Sequence, residues 1–364
     1  MRRAFITGSA GFIGYHLSRL LLEEGWQVWG YDGLSDYYDV ALKQVRHAEL
    51  ARFPGFTATI GRIEDMDALA AACAAAAPEV VVHLAAQAGV RHSIDNPRVY
   101  VDANLIGAFN VMEVARAAGV RHLLMASTSS VYGANTKMPY AETDKTDTQM
   151  SFYAATKKAN EAMAHAWAHI HGLPTTMFRF FTVYGPWGRP DMAYFKFTRA
   201  ILEGRPIDVY NHGDMWRDFT YVGDLVRGIR LLIDCVPPAP LRGDVSAAPL
   251  RGDPLAPLRG DAVPERPATP AEILPGDSLS PVAPWRVVNI GNSEKVRLMD
   301  FIAAIEDALG RKAVCNFMEI QPGDVPATWA DARLLQHLTG YRPETPMRAG
   351  VAEFVAWYRD YYRL

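Results

Sequence analysis

Three glycines near the start of the chain restrict its fold more than any other feature. Residues 4–7 have the composition of a short buried strand, and residues 15–24 carry apolar side chains at helical spacing. Between them, Gly8, Gly11 and Gly14 form a G-x-x-G-x-x-G run. Strand, glycine-rich turn and helix in this order predict the first unit of a parallel α/β sheet. Gly8 and Gly11 would let the backbone approach a pyrophosphate, and Gly14 would let the helix pack closely on the strand.

An acidic residue downstream favours a dinucleotide as the ligand of this turn. Asp32 falls where a second strand, within residues 27–32, should end. From that position a carboxylate would bind the adenosine ribose hydroxyls and would repel a 2′-phosphate, so the pattern predicts NAD rather than NADP. Phe12 and Ile13, in the turn just before the first helix, are assigned to the cofactor site, and the amides at the start of that helix are expected to face the cofactor phosphates.

Later segments extend the same sheet. Apolar runs at 80–86, 121–126 and 175–181 read as buried parallel strands, with helical patterns between them. We assign the residues that end the first of these runs to the cofactor site, together with one residue of the next helix: Leu84, Ala85, Ala86 and Asn104. His83 is expected to be a packed, hydrogen-bonded strand residue.

The predicted fold class is α/β, a Rossmann-type doubly wound parallel sheet with a smaller C-terminal α/β domain for the substrate. At 364 residues the chain is longer than a single hydrophobic core usually serves. We expect residues 1–180 to form the NAD-binding domain, with some later segments returning to it. Residues 181–364 should mainly form the substrate domain.

A tyrosine and a lysine four residues apart, Tyr153 and Lys157, are the first candidates for chemistry. On a helix they share a face. A free tyrosine titrates near pH ~10, but a nearby cation favours the phenolate, so Tyr153 could act as a general base. Such a pair is usually structural, and the nucleotide turn upstream is what makes the catalytic interpretation the better one.

Composition excludes several other classes of function. Hydrophobic residues make up 49% of the chain and the net charge is −3, which gives no basic surface for nucleic acid. Cys73, Cys235 and Cys315 are far apart and predict neither a disulfide framework nor a zinc site, so a reducing cytoplasm fits. No apolar run approaches the ~20 residues that span a bilayer. His165 and His169 lie four residues apart but lack a third ligand nearby, and we predict no metal.

Residues 237–284 break the alternating pattern. They are rich in Pro, Gly, Ala and Asp, and the sequence Ala-Pro-Leu-Arg-Gly-Asp occurs there three times, beginning at Ala239, Ala248 and Ala256. A solenoid would need much longer repeats. We interpret the segment as a flexible surface insertion between regular elements, and the Arg-Gly-Asp triplets as incidental to function.

Four blocks, at 8–14, 127–133, 153–157 and 178–189, give the chain a resemblance to the extended short-chain dehydrogenase/reductases that act on nucleotide sugars. More narrowly, it resembles the UDP-glucuronic acid 4-epimerases, through the sequences at 182–193, 217–224 and 321–328. The resemblance covers nearly the whole chain outside the insertion. It implies that Tyr153 removes the proton of the sugar 4-hydroxyl while hydride leaves C4 for NAD. The 4-keto sugar then rotates and takes the hydride back on its other face.

The same resemblance implies roles for further residues. Thr128 matches the hydroxyl partner of the tyrosine, and Lys157 would hold the nicotinamide ribose. The matches to substrate-binding positions are a set of hydroxyls and charged groups: Ser129, Ser130 and Thr182 for the sugar carboxylate, Arg189 near the sugar, Arg217 for the pyrophosphate and Asp324 near the UDP ribose. One departure concerns the adenine pocket, where many relatives carry Gly-Asp and this chain has Gly61-Arg62.

Four alternative functions compete with this one. A UDP-glucose- or UDP-N-acetylglucosamine-type 4-epimerase differs mainly in that its sugar substrate has no carboxylate. A UDP-glucuronate decarboxylase should have an acidic residue in the hydroxyl run, and a 4,6-dehydratase an Asp-Glu pair after Thr128; neither occurs. A non-catalytic NAD-binding sensor would not need a catalytic tyrosine, so the presence of Tyr153, Lys157 and Thr128 together counts against it. The resemblance also implies a homodimer joined by a four-helix bundle of the Tyr153 and Asn104 helices.

Overall fold

The computed structural model describes residues 1–239, 276–321 and 323–364. Its strands, in chain order, are β1 (Arg3–Thr7), β2 (Gln27–Asp32), β3 (Phe56–Ile60), β4 (Val80–His83), β5 (His122–Thr128), β6 (Thr175–Phe180), β7 (Thr182–Tyr184), β8 (Ile207–Val209), β9 (Trp216–Arg217), β10 (Phe219–Tyr221), β11 (Trp285–Ile290), β12 (Val296–Arg297), β13 (Cys315–Phe317) and β14 (Ala327–Thr328). Its helices are α1 (Phe12–Glu23), α2 (Val40–Leu50), α3 (Met66–Ala76), α4 (His92–Asp95), α5 (Pro97–Tyr100), α6 (Ala108–Ala117), α7 (Phe152–His171), α8 (Ala193–Leu202), α9 (Val222–Leu232), α10 (Leu298–Leu309), α11 (Arg333–Thr339) and α12 (Met347–Tyr362).

Among the described residues, seven strands form one parallel sheet in the order β11-β6-β5-β4-β1-β2-β3. Strand β1 lies between β2 and β4, with Thr7 in register with Tyr31 on one side and His83 on the other. The chain order reverses at β1, which is where open parallel sheets place their ligand crevice. The predicted Rossmann-type doubly wound sheet is therefore confirmed.

Side chains of the central strands alternate between two apolar layers. Ile6 and Val82 face a cluster formed with α1, α9 and α11. Phe5 and Val81 face the opposite cluster, formed with α3, α6 and α7. Because neighbouring residues of a strand point to opposite faces, a sheet covered by helices on both sides needs these nearly continuous apolar runs.

A third apolar cluster, built on α8, α10 and α12, forms the core of the smaller part of the molecule. Short strand pairs and triples surround it: β10-β7, β12-β9-β14 and β13-β8. Helix α9 and strand β11 follow β10 in the sequence but pack in the large sheet's layers. This agrees with the expectation that later segments return to the nucleotide-binding part, while the exact division at residue 180 stays a prediction.

The helix that carries Asn104, expected between the strands at 80–86 and 121–126, is interrupted. Residues Val101–Gly107 form a π-helical stretch between α5 and α6. Gly107 sits so close to Ile63 that a Cβ atom there would lie 2.6 Å from its side chain. Asn104, within the same stretch, is buried and bonded to the neighbouring loop. Helical periodicity predicts the presence of a helix but not a local change of its winding.

Most of the predicted insertion, residues 240–275, lies outside the described residues. Its C-terminal flank packs on α7: His165 Nε2 is 2.8 Å from Ser280 Oγ, and His169 Nδ1 is 2.7 Å from the carbonyl oxygen of Val282. Both histidines thus have partners in the protein. In the part of the chain that the structure covers, no cluster of three metal-binding side chains occurs. None of the described helices combines the length and the apolarity needed to cross a membrane.

Candidate active site

A cavity of about 750 Å³ opens at the carboxyl ends of β1, β2, β4 and β5. Many of the residues predicted from the sequence line it: Gly8, Gly11, Phe12, Ile13, Gly14, Asp32, Leu84, Ala85, Ala86, Thr128, Tyr153, Lys157 and Arg189. Six others do not line it: Asn104, Ser129, Ser130, Thr182, Arg217 and Asp324. The volume falls within the ~300–1,000 Å³ usual for cofactor and substrate sites.

The glycine-rich turn is held too tightly for side chains. Gly8 has a left-handed φ of 78°, and a Cβ atom on it would lie 2.7 Å from the Ala85 nitrogen. A Cβ atom on Gly14 would lie 2.0 Å from the carbonyl oxygen of Gly8. Gly11 is the N-cap of α1 and lacks a side chain, so the first amides of the helix are available to an anion. This cradle fits a pyrophosphate, as predicted.

Asp32 ends β2 beside this turn. One carboxylate oxygen accepts a hydrogen bond from the Ala10 amide at 2.9 Å, and the other accepts from the Leu34 amide at 2.8 Å. Each oxygen keeps a second lone pair for a ligand hydroxyl. At the adenine end, Arg62 is 66% exposed and pairs with Glu64 at 2.8 Å, with both residues lining the cavity.

Tyr153 and Lys157 lie in the first turns of α7, which Ser151 caps by accepting from the Ala154 amide at 3.1 Å. The buried ammonium of Lys157 donates to the carbonyl oxygen of Ala126 on β5 at 3.0 Å, and burial lowers its pKa to about 8. Burial raises the pKa of Tyr153, while a hydrogen bond with Thr128 and the charge of Arg189 lower it. Thr128 and Arg189 are thus the two groups that favour the phenolate.

The hydroxyl run begins on β5 and continues into a 3₁₀ turn, Ser129–Tyr132. Thr128 caps that turn: its Oγ1 accepts from the Ser130 amide and lies 3.2 Å from Ser130 Oγ. Behind it, Ser127 donates to Glu161 on α7 at 2.7 Å, and Glu161 pairs with Arg179 on β6 at 2.9 Å. This buried network fixes the end of β5 against α7, and with it the distance between Thr128 and Tyr153.

Arg189 reaches the cavity already paired with an acid. Its Nε and Nη2 atoms donate to the two carboxylate oxygens of Asp191, at 3.0 and 2.5 Å. Although burial alone would lower the pKa of Arg189, Asp191 keeps it raised, and both groups are charged. Tyr37 donates to the same carboxylate at 3.3 Å. Two hydrogen bonds from Arg189 to a sugar carboxylate would therefore have to come from Nη1 and from the remaining N–H of Nη2.

Two predicted substrate residues are engaged elsewhere. Arg217 donates to the carbonyl oxygens of Val325 and Pro326, at 2.8 and 3.2 Å, and burial lowers its pKa. Asp324 forms an ion pair with Arg91 at 2.6 Å. Both lie on the smaller part of the molecule, beyond the residues that line the cavity, so their roles in binding UDP stay predictions.

Asn104 supports the cavity wall from behind. Its side chain accepts from the Gln87 amide at 2.8 Å and donates to the Gln87 carbonyl and to Thr156 Oγ1, at 3.0 and 3.1 Å. These bonds hold the loop after β4, where Gln87 lines the cavity, against α7. Direct contact of Asn104 with the cofactor, as predicted, would require it to exchange one of them.

Sequence reasoning missed several cavity residues: Tyr37, Tyr38, Lys43, Gln87 and His92. Tyr37 contacts His92, with 4.8 Å between ring centres, and bonds Asp191. The signal that could have found the two tyrosines is their place just after β2, at the edge where parallel strands collect ligands. His83, in contrast, lies as expected: it is buried, bonded to Thr7 at 2.7 Å, and burial lowers its pKa to about 3.

Comparison with known proteins identifies the family. A model described as "NAD dependent epimerase/dehydratase family" matches residues 4–239. The chain is 51% identical over 361 residues to a protein of Rhizobium meliloti (strain 1021) named "Probable UDP-glucuronate 4-epimerase", a match that covers 99% of this chain and 98% of the relative.

Two solved structures extend the likeness to three dimensions. The UDP-glucuronic acid 4-epimerase of Bacillus cereus, in complex with UDP-glucuronic acid and NAD, superposes with a TM-score of 0.81 at 27% identity and full coverage of both chains. The UDP-glucose 4-epimerase of Thermotoga maritima with UDP-glucose gives 0.78 at 25% identity and 99% coverage of both. The resemblance drawn from the sequence motifs is confirmed, and the chain belongs to the NAD dependent epimerase/dehydratase family.

Proposed function

We propose that this protein catalyses the NAD-dependent 4-epimerisation of UDP-glucuronic acid to UDP-galacturonic acid through a 4-keto intermediate. One observation carries the proposal: a single cavity joins the glycine-rich turn, the Thr128–Tyr153–Lys157 set and a guanidinium, that of Arg189. Two relatives support it. The Rhizobium protein is named as a probable UDP-glucuronate 4-epimerase, and the Bacillus 4-epimerase is in complex with UDP-glucuronic acid and NAD.

The residues around the turn fit a dinucleotide. The amides at the start of α1 would hold its pyrophosphate, Asp32 its adenosine ribose, and Lys157 its nicotinamide ribose. NAD, when bound, accepts the hydride from C4 of the sugar and returns it, so that it is unchanged after each turnover. The exposed Arg62 stands where many relatives have an aspartate, and with Glu64 it would border the adenine ring.

Tyr153 has the place of the general base. To accept a proton from the sugar, the buried Tyr153 must first be deprotonated. Burial opposes deprotonation because it raises the pKa of the phenol. Thr128 and Arg189 oppose the effect, and the ammonium of Lys157, one helical turn away, is proposed to add a second favourable charge beside that of Arg189. Thr128 can pass a hydrogen bond between the sugar hydroxyl and the phenol because its own position is set by the Ser130 amide.

Arg189 would bind the sugar carboxylate. A 4-keto uronic acid is a β-keto acid and loses carbon dioxide when its carboxylate can align with the ketone. A guanidinium that is itself held by Asp191 can keep the carboxylate in one orientation throughout the rotation of the ring. Ser129, Ser130 and Thr182 are proposed to assist, although they lie just outside the cavity lining.

One observation favours a second candidate, a 4-epimerase of neutral UDP-sugars. Because Asp191 neutralises Arg189, the sugar end of the cavity does not present a net positive charge from this pair. The Thermotoga structure is of such an enzyme. The decarboxylase and the sensor gain no comparable support, since the chain lacks an acid in its hydroxyl run and keeps the complete catalytic set.

Purified protein mixed with UDP-glucuronate or with UDP-glucose, and followed by NMR, tests the proposal. UDP-galacturonate as the product supports it. Conversion of UDP-glucose alone supports the neutral-sugar epimerase, a UDP-pentose the decarboxylase, and no conversion of either substrate a sensor.

A homodimer and a cytoplasmic location are parts of the same proposal. Exposed apolar side chains occur on the π-helical stretch, α6 and α7: Ile106, Phe109, Phe152 and Ile170 are each at least 38% exposed. Such a surface suits a second copy packed helix against helix. The free cysteines fit a reducing compartment.

A further inference from the structure

The loop of residues 185–191, here called the substrate loop, is held in a conformation it would not adopt alone. Trp187 has a φ of 58°, in the left-handed region that side chains other than glycine rarely enter. Gly188 is packed so that a Cβ atom would lie 2.0 Å from the Tyr194 hydroxyl. Arg189, which enters the cavity, follows two residues after the strained position. The placement of Arg189 therefore depends on whatever keeps Trp187 in this conformation.

A fully buried arginine provides that support. Arg46, on α2, has no exposed surface. Its Nη2 donates to the carbonyl oxygens of Trp187 and Gly188, at 2.5 and 3.0 Å. Its Nη1 donates to the carbonyl oxygen of Ala10, within the glycine-rich turn, at 2.9 Å. One planar group thus connects the cofactor turn to the substrate loop, whose Trp187 lies 141 residues after Arg46 in the sequence.

The partners of Arg46 are all neutral. Besides the three carbonyls, it bonds only the Tyr38 hydroxyl, at 2.9 Å, among the described residues, and its Nε atom has no partner there. Burying a cation without a carboxylate costs several kcal/mol. An apolar side chain would fill the same volume at lower cost, so the bonds to the two functional segments are the property that distinguishes arginine at this place.

The first turns of α1 hold the same loop. His16 Nε2 lies 2.9 Å from the carbonyl oxygen of Pro186, and its ring is buried. The Trp187 ring packs on Tyr15, with 5.3 Å between ring centres. The backbone carbonyls of three consecutive loop residues, 186–188, are therefore all bound by side chains of the nucleotide-binding part.

We propose that Arg46 is a positioning residue that fixes the substrate loop to the glycine-rich turn and so presents Arg189 to the sugar. The proposal rests on the proposed function in placing the cofactor at the turn and the sugar at Arg189. It means that the two sites are not independent: the segment that cradles the cofactor phosphates also sets the conformation of the loop that selects the sugar.

Two variants separate bridging from charge. Arg46→Met removes the cation and all four hydrogen bonds. Arg46→Lys keeps the charge, but a single ammonium cannot span the Ala10 and Trp187 carbonyls as the planar guanidinium does. Arg286→Met is the matched control, because it removes another buried arginine. Arg286 lies on β11, its Nε is 2.9 Å from a carboxylate oxygen of Asp277, and it does not line the cavity.

The first measurement is hydrogen–deuterium exchange of the holoenzyme in peptides covering residues 185–192. Exchange should be about tenfold faster in both Arg46 variants and unchanged in Arg286→Met. The second is steady-state kinetics: KM for UDP-glucuronate should rise about tenfold or more in both Arg46 variants while kcat stays within about threefold, since a displaced Arg189 weakens binding before and during the reaction alike.

Wild-type exchange and wild-type KM in Arg46→Met would overturn the proposal. Full recovery of both in Arg46→Lys would also overturn it, because charge alone would then suffice. If the wild-type protein converts no UDP-glucuronate, the proposed function fails. The exchange measurement still decides the role of Arg46 in that case.

Discussion

The ammonium of Lys157 donates its hydrogen bond to the carbonyl oxygen of Ala126, at 3.0 Å, two residues before Thr128 on the same strand. Lys157 is thus hydrogen-bonded to β5, the strand that also carries Thr128. The bond holds α7 against the carboxyl end of that strand. Its own burial is unfavourable to the charge, as the pKa of about 8 indicates. Because Lys157 costs stability in the folded protein and lines the cavity, we predict that it serves the reaction.

Lys157→Met should therefore inactivate the enzyme and stabilise the cofactor-free protein. A fall in pKa from 10.5 to about 8 corresponds to roughly 3 kcal/mol of destabilisation at pH 7. The lost bond to Ala126 offsets about 1 kcal/mol of the gain. The penalty is fully present below pH 8 and vanishes as the pH rises toward 10.5, so the gain should shrink over that interval. Urea unfolding of both proteins at pH 7 and pH 9.5 measures it; a variant less stable at pH 7 would contradict the prediction.

Tyr153→Phe should abolish turnover and leave binding largely intact. Loss of the general base is expected to lower kcat by about 10³-fold or more, with the affinity for UDP-glucuronate within about threefold of wild type. Conversion is followed by NMR and binding by calorimetry. Tyr341→Phe, which removes a hydroxyl bonded to Asp224 far along the chain, is the control. Substantial residual epimerisation would remove Tyr153 from the role of base.

Arg189→Gln should discriminate against the acidic sugar. We expect kcat/KM for UDP-glucuronate to fall by about 10²-fold or more and that for UDP-glucose by about tenfold at most, because both reactions lose a charge that favours the Tyr153 phenolate but only the former loses a charged partner. The double variant with Asp191→Asn controls for the carboxylate left unpaired by the single change. Equal losses for both substrates in the double variant would assign Arg189 a structural role.

Glu142→Gln should flatten the pH dependence of stability. Glu142 is buried, accepts from the Asn289 amide at 2.9 Å, and burial raises its pKa to about 7. Its stabilising contribution is complete below the unfolded pKa of 4.5 and is lost as the pH rises through 7. Between pH 5 and pH 8 wild type should lose about 2 kcal/mol more than the variant, measured by urea unfolding. Parallel behaviour of the two proteins would show that Glu142 does not titrate in this range.

Charges on the exposed apolar side of α6 should separate the proposed dimer. Ile106 and Phe109 are 43% and 38% exposed, and Phe109 packs on Trp167 of α7. Replacing both by Glu is expected to give a monomer at micromolar concentration, observed by sedimentation velocity, because two charges cannot be buried without partners. Val314→Glu, at a 59% exposed position beside β13, should leave the assembly unchanged. A monomeric wild type would refute the dimer.

The features that could be predicted from the sequence are those formed by residues close together along the chain. The strand, turn and helix around Gly8 and the helix that carries Tyr153 and Lys157 are each specified within about twenty residues, and the structure has them as expected. Features made by distant residues were not predictable in this way. Tyr37 meets Asp191 across 154 positions, and Asp324 meets Arg91 across 233.

The same distinction applies to the predicted site residues. Asn104, assigned to the cofactor site, forms hydrogen bonds to Gln87 and Thr156 that no periodicity encodes. Arg217, predicted to bind the pyrophosphate, donates to the carbonyl oxygen of Val325 in a later loop. Single-residue contacts between segments far apart decide such details, and they follow from tertiary packing rather than from local sequence.

The return of β11 to the large sheet has a consequence for engineering. A chimera that exchanged everything after residue 180 between two such enzymes would replace α9 and β11, and the new α9 would have to fit an α1 that it did not coevolve with. Exchanging 181–221 and 291–364 while keeping α9 and β11 would leave the sheet native. On the prediction that residues 181–364 mainly form the substrate domain, sugar preference in this scaffold would be transplanted as two separate pieces of sequence, not as one contiguous module.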